Sequence, residues 1–362
     1  MLLQKKVIFV RTKIKWLMRK KYCFIFLFIF PFYTLFAQED PRVTLFPWLQ
    51  PFYNPAAMGE KDNHINFTGI FRQHAFLMEV QNDEASSGTG SDVFDKVNGE
   101  QFLLNMDSYI KAIRGAVGIM FVSDKNAGSF DNIHLRFGYA TKIRIQGGKL
   151  GIGLHLGFLN MKTSKTNFKP NQESDPTVDG LKQAESLLDF DMSFGVHYRA
   201  PTWHAGISCT QLLGGVRISG EENFLNVPQQ LYITGGYIWD LRTPTYWTIE
   251  PNVIIRSNFS TWTMDIMAAA RYNGILWFGL SYQLDWAVAA FFGTVPFHNK
   301  GDSYLKGLEI GVSYSFPTAK FGYKANGGSK GDFEILIRYG LNFYREKPLT
   351  GYGSSRHLYK NQ

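Results

Sequence analysis

The chain has 362 residues, 38 basic and 30 acidic, and a formal net charge of +8. Taken whole, that charge points to a nucleic acid or an anionic membrane as partner. Its placement excludes the nucleic acid: Lys5, Lys6, Arg11, Lys13, Lys15, Arg19, Lys20 and Lys21 all stand in residues 1–37, which hold no acid, and the rest balances at 30 against 30.

Residues 1–37 have the form of a secretory signal peptide. A positive stretch ends at Lys21, the apolar run "YCFIFLFIFPFYTLF" follows, and Ala37-Gln38 offers a small residue for cleavage. The long basic region makes Met18 a candidate true start. An uncleaved anchor is the competing reading. Against it, the run is shorter than the roughly 20 residues of a spanning helix, and Pro31 interrupts it. Cys23 falls in this leader, so Cys209 has no partner within the mature chain. Export without disulfides suits a Gram-negative envelope protein.

The next stretch, residues 38–63, contains "WLQPFYNPAAMG" (48–59). Pro51 and Pro55 remove backbone donors and bias Gln50 and Asn54 towards extended geometry, so the segment cannot extend a strand ladder. Trp48, Phe52 and Tyr53 are costly to leave in water. A preformed, plug-like segment on the periplasmic side, packed against the mouth or lumen of the following domain, is expected.

From residue 64 a period of two recurs. Ile133, Leu135, Phe137 and Tyr139 alternate with His134, Arg136, Gly138 and Ala140; Leu150 to Phe158 alternate with Gly151, Gly153, His155 and Gly157. Phe190 to Tyr198 alternate with Asp191, Ser193, Gly195, His197 and Arg199, and Phe333 to Phe343 with Glu334, Arg338 and Asn342. One face is large and aromatic; the other mixes glycine with charge. Runs of about ten residues with that asymmetry predict an all-β fold, an antiparallel outer-membrane β-barrel over 64–343. A soluble sandwich would use shorter strands and a polar face of Thr, Ser and Lys.

Fourteen strands are predicted, near 64–77, 102–110, 115–123, 132–145, 149–162, 188–200, 202–213, 229–240, 246–258, 261–272, 275–284, 286–296, 307–316 and 332–343. An even count leaves both termini periplasmic. Short turns such as Gln146–Lys149, Ala200–Thr202 and Asn273-Gly274 alternate with long polar loops near 81–101, 163–187, 214–228 and 317–331. Two connections fit poorly: the link at Asp285 is short for an outer loop, and 297–306 is long for a periplasmic turn.

Parity sends the charges of these strands inward, because Arg or Lys facing lipid at mid-bilayer costs roughly 2–4 kcal/mol. The predicted lumenal set is Arg72, Arg136, Lys142, Arg144, Asp191, Arg199, Glu250, Arg256, Asp265, Arg271, Glu309, Glu334 and Arg338. An ion-pair network that braces the wall is the plain reading, and a selective pore lining the sharper one.

The "YNPAAMG" core, followed by Arg72-Gln73 in the first strand, resembles the opening of the PorP/SprF family of type IX secretion and gliding-associated outer-membrane proteins. Asn54, Pro55, Ala56 and Gly59 carry the match, with Trp48 and Tyr53 as flanking aromatics. "GLEIGVSYSF" (307–316) and "GDFEILIRYGLNF" (331–343) look like the last two strands of that family. Ala57-Met58 departs from the usual aromatic-Ala pair. The resemblance implies a component of a secretion or gliding machinery that docks periplasmic or outer-membrane partners and a secreted, adhesin-like surface protein.

No catalytic constellation accompanies this. His155 and His197 lie on inner faces of successive strands and are expected to be neighbours, yet no nucleophilic elbow joins them. The eight histidines show no metal spacing, "GIGLHLG" is mid-strand rather than a phosphate loop, and no cofactor is indicated. The loops "NDEASSGTGSD" (82–92) and 166–186 read as solvated. The tail 344–362 reads as a periplasmic docking peptide. A second class of function, a channel for a small solute or fatty acid, stays open, and an open lumen is what would distinguish it.

Overall fold

The computed structural model describes residues 40–342, apart from 61–63, 75–79, 82–93, 96–98, 127–129, 146, 164–186, 215, 220–226, 242–245, 299–304, 306 and 319–330. The leader, the C-terminal tail and most of the predicted outer loops lie outside the described residues.

Fourteen antiparallel strands among them form the wall: β1 (His64–His74), β2 (Gly99–Ile110), β3 (Gly115–Asn126), β4 (Phe130–Ile145), β5 (Gly148–Thr163), β6 (Leu187–Arg199) and β7 (Trp203–Thr210), then β8 (Gln230–Tyr237), β9 (Trp247–Ser257), β10 (Trp262–Tyr272), β11 (Leu276–Gln283), β12 (Ala287–Thr294), β13 (Leu308–Pro317) and β14 (Asp332–Asn342). Each pairs with its sequence neighbours, and β1 pairs with β14 from His64↔Asn342 to Gln73↔Phe333, which closes the cylinder. Closure matters physically: a membrane-spanning sheet with a free edge would leave backbone groups unpaired in hydrocarbon. Two short ladders supplement the wall, Trp239–Leu241 continuing β8 against β9 and Val216–Ser219 pairing with the outer end of β6.

The alternation read from the sequence is the alternation of burial. In β2, Gln101, Leu103, Asn105 and Asp107 are buried, while Phe102, Leu104 and Met106 face outward. The outward aromatics mark two interfacial belts. Trp203, Trp239, Tyr246 and Tyr272 stand at the periplasmic end, and Phe259, Trp262, Trp286 and Phe316 at the outer end.

The two awkward connections fall into place. Asp285 adopts φ 54 and lets β11 turn directly into β12, with the Trp286 amide donating to the Gln283 carbonyl at 3.1 Å. Asn258 makes a second tight outer turn, its side chain accepting from the Ser260 and Thr261 amides. The longer link 295–307 is therefore periplasmic, as the strand parity requires.

Candidate functional site: the occupied lumen

Residues 40–59 lie inside the barrel. Phe46–Leu49 form a 3-10 turn, Gln50–Tyr53 one helical turn and Pro55–Ala57 another 3-10 turn. Each turn has a proline at its first or second position, where the missing amide would have had no intrahelical partner. Asn54 is extended before Pro55, as expected. Gln50, expected to be extended before Pro51, is instead helical (φ −53, ψ −39), because its carbonyl accepts the Asn54 amide at 2.9 Å and closes the turn.

Asp40 lies towards the outer end. It accepts hydrogen bonds from Tyr232 (2.9 Å), Gln211 (3.0 Å) and Thr210 (3.2 Å), and Arg136 reaches it at 3.4 Å. Burial opposes its charge, but Arg136, His134 and the hydroxyl donors outweigh that and hold the carboxyl below the usual range. Arg42 pairs with Asp265, which also receives Arg256 at 2.5 Å. The amides of Thr44 and Leu45 donate to Glu334 at 2.7 and 3.2 Å, and Arg72 bridges Glu334 and Asp332 at 3.4 and 2.6 Å.

At the periplasmic end Trp48 stacks on Trp277 and donates its indole N–H to Glu309 at 3.0 Å. Glu309 is paired in turn with Arg271 (3.2 Å) and Arg338 (3.8 Å), and Arg271 with Glu250 (3.2 Å). Glu60 meets Arg199 at 2.8 Å. The guanidinium groups of Arg136 and Arg256 lie over the rings of Phe52 and Tyr53 at 5.6 and 5.3 Å. Predicted lumenal charges thus do more than brace the wall: many of them clasp the internal segment.

Between the two ends, the wall that faces Asn54–Met58 is rich in glycine. A Cβ at Gly195 would stand 2.1 Å from Asn54 Oδ1, one at Gly206 2.7 Å from Asn54 Nδ2, and one at Gly153 2.5 Å from the Ala56 amide. Gly118 and Gly138 make the same room for Met58. This inward glycine stripe is a cradle into which Asn54–Met58 fits. Polar contacts pin it there. Asn54 Oδ1 accepts the Ala56 amide at 2.9 Å, while its Nδ2 donates to the Val196 and Ile207 carbonyls at 3.0 and 3.4 Å. Lys142 donates to the Ala56 carbonyl (2.6 Å) and Ser208 to that of Tyr53 (2.7 Å). Gly59 turns out of the cradle at φ +62, its amide donating to Asp107 at 2.7 Å.

Two expectations are corrected. Arg144 is exposed at the periplasmic end of β4 and makes no part of the clasp described above, because it sits one residue from the turn, beyond the depth of the lumen. His155 and His197 are not partners: the β5–β6 register sets His155 opposite Ser193 and His197 opposite Gly151, and His197 lies instead against His204, ring centroids 5.5 Å apart. Sequence reasoning missed Asp40, Arg42, Glu60 and Asp107. For Asp107 the signal was present, since it alternates with Met106 in the period of two; for the others no period exists.

A closed fourteen-stranded outer-membrane barrel whose lumen holds its own N-terminal segment is the class these features define. Residues 35–339 match the type IX secretion system membrane protein PorP/SprF, and the chain belongs to that family. No curated protein matches. Among solved structures it is similar to a Pseudomonas aeruginosa FadL homologue (10% identity, 81% of this chain and 93% of that one, TM-score 0.49). It is also similar to the Pseudomonas putida toluene transporter TodX (12%, 81% and 93%, 0.47) and to Acinetobacter baumannii Omp33 (6%, 78% and 99%, 0.41). At these identities the likeness is to the barrel alone.

Proposed function

We propose that this outer-membrane secretion component works as a closed, non-enzymatic scaffold, holding periplasmic machinery on one side and a secreted surface protein on the other. The observation that carries the reading is the filled lumen. Asp40, Arg42, Trp48, Asn54 and Glu60 each engage the wall, so the segment is fixed along its length rather than at one end. A pore running straight through the barrel needs the space that this segment occupies. In the scaffold reading, residues 1–37 are a cleaved leader, 38–63 the plug and 344–362 a periplasmic docking tail, with the adhesin-like cargo meeting the outer loops.

Single-channel recording in planar bilayers tests it, comparing the intact protein with one lacking residues 38–63. The scaffold reading expects silence from the first and conductance from the second; a stable open pore in the intact protein moves the channel reading ahead. Deleting residues 345–362 should leave the barrel folded while reducing co-purification of periplasmic components from detergent.

A further inference from the structure

The lipid-facing side of the β14–β1–β2–β3 wall, where the last and first strands meet, is not smooth. Gly69 faces outward in mid-strand between Phe67 and Phe71, with Leu104 opposite it on β2 and Ile337 on β14. The missing side chain leaves a groove of about 620 Å³, rimmed by Phe102, Met106, Ile119 and Tyr339. A concavity at this depth can hold only apolar matter, since nothing in hydrocarbon replaces a lost hydrogen bond.

Directly below it, at the periplasmic end of the same strip, the β2–β3 turn carries a second feature. Lys111 and Arg114 are both exposed there, beside Ile110 and Ile113, which are 39% and 45% exposed. The next periplasmic turn adds exposed Arg144 between Ile143 and Ile145. The two turns are neighbours: Tyr139 donates its hydroxyl to the Ile113 carbonyl at 3.2 Å, and the Lys142 amide donates to the Arg114 carbonyl. Exposed cations beside outward isoleucines are what an anionic lipid surface attracts.

We propose that this strip is a binding site for an anionic phospholipid of the periplasmic leaflet: its phosphate rests on Lys111 and Arg114, and an acyl chain runs up past Met106 and Ile119 into the Gly69 groove. Groove and cations are separate observations that only a molecule with an apolar chain and an anionic head satisfies together. An acidic periplasmic polypeptide would use the cations but would leave the groove and the flanking isoleucines without a role.

The test is native mass spectrometry of the purified protein titrated with phosphatidylglycerol, with phosphatidylcholine as the neutral probe. Each surface cation contributes about fivefold to affinity for an anionic lipid, so Lys111→Ala with Arg114→Ala should weaken phosphatidylglycerol retention by about twenty-five-fold and leave phosphatidylcholine unchanged. Gly69→Leu should weaken both lipids; a Cβ there meets the tip of Leu104 at 3.3 Å, which must give by a few tenths of an ångström, and the Ile337 carbonyl at 3.8 Å. Heat-modifiable gel migration confirms that each variant keeps its barrel. If the double variant holds phosphatidylglycerol as tightly as the parent, or loses only a co-purifying periplasmic protein, the lipid site is overturned. If Gly69→Leu changes neither lipid, the groove assignment is overturned.

Discussion

Trp48 of the internal segment lies on Trp277 of the wall, ring centroids 4.4 Å apart and planes inclined at 29°, with Phe291 edge-on to Trp48 and tilted against Trp277. Trp277 has the face of a lumenal residue but no water to face, and its burial depends on a residue more than two hundred positions earlier. Gly293 and Gly311 leave the space into which its ring fits: a Cβ at either would stand 2.1 or 2.3 Å from it.

Replacing Trp48 by Ala should therefore release the segment rather than the barrel. A buried tryptophan truncated to alanine costs about 3–5 kcal/mol, and Glu309 loses its indole donor as well. The expected result is faster protease cleavage within residues 40–59, with gel migration of the heat-modifiable barrel unchanged. Protection equal to the parent would show that the stacking does not hold the segment.

The glycine cradle gives a sharper contrast. Gly195→Ala would place a methyl group against Asn54 at 2.1 Å, whereas at Gly235 the nearest atom is 3.6 Å away. Overpacking typically costs about 1–3 kcal/mol. Gly195→Ala should raise amide hydrogen exchange in residues 52–58, and Gly235→Ala should not. Equal behaviour of the two variants would remove the cradle from the account.

Asp40 and Arg136 can be tested as a pair. Removing one member of a buried ion pair costs about 3–5 kcal/mol because the other is left uncompensated. Asp40→Asn and Arg136→Met should each destabilise the seated segment, and the double variant should lose less than the two losses combined. Additive losses in thermal unfolding would mean that the pair is not coupled.

The pH response has a definite sign. The Asp40 and Glu60 carboxyls are both held below their ordinary values: burial opposes each charge, but Arg136 at Asp40 and Arg199 at Glu60 dominate the neighbours that outweigh it. A depressed folded pKa contributes stability above the unfolded value, near 4, that is lost as pH falls through the folded one. The segment should stay seated from pH 8 to about 5 and loosen only below about pH 4, read as the onset of channel activity in bilayers. Onset on raising the pH instead would contradict this assignment.

The sequence alone determined the wall. A period of two with an aromatic face and a glycine-and-charge face points to this wall, since each strand must give one side to lipid and pair its edges; the short hairpin at Asp285 fitted that pattern poorly until the structure gave Asp285 its φ of 54. Arg72, Glu334 and Arg338 were legible as lumenal for the same reason. Which charges pair was not legible, because partners lie on strands far apart in sequence or, as with Asp40 and Arg42, on a segment with no period at all. In the sequence the glycines were legible only as small residues on the inner face, mixed with charge. Only the tertiary structure decided that they are a cradle, because the steric complement of a missing side chain is another part of the chain, and its proximity is set by closure of the barrel around it.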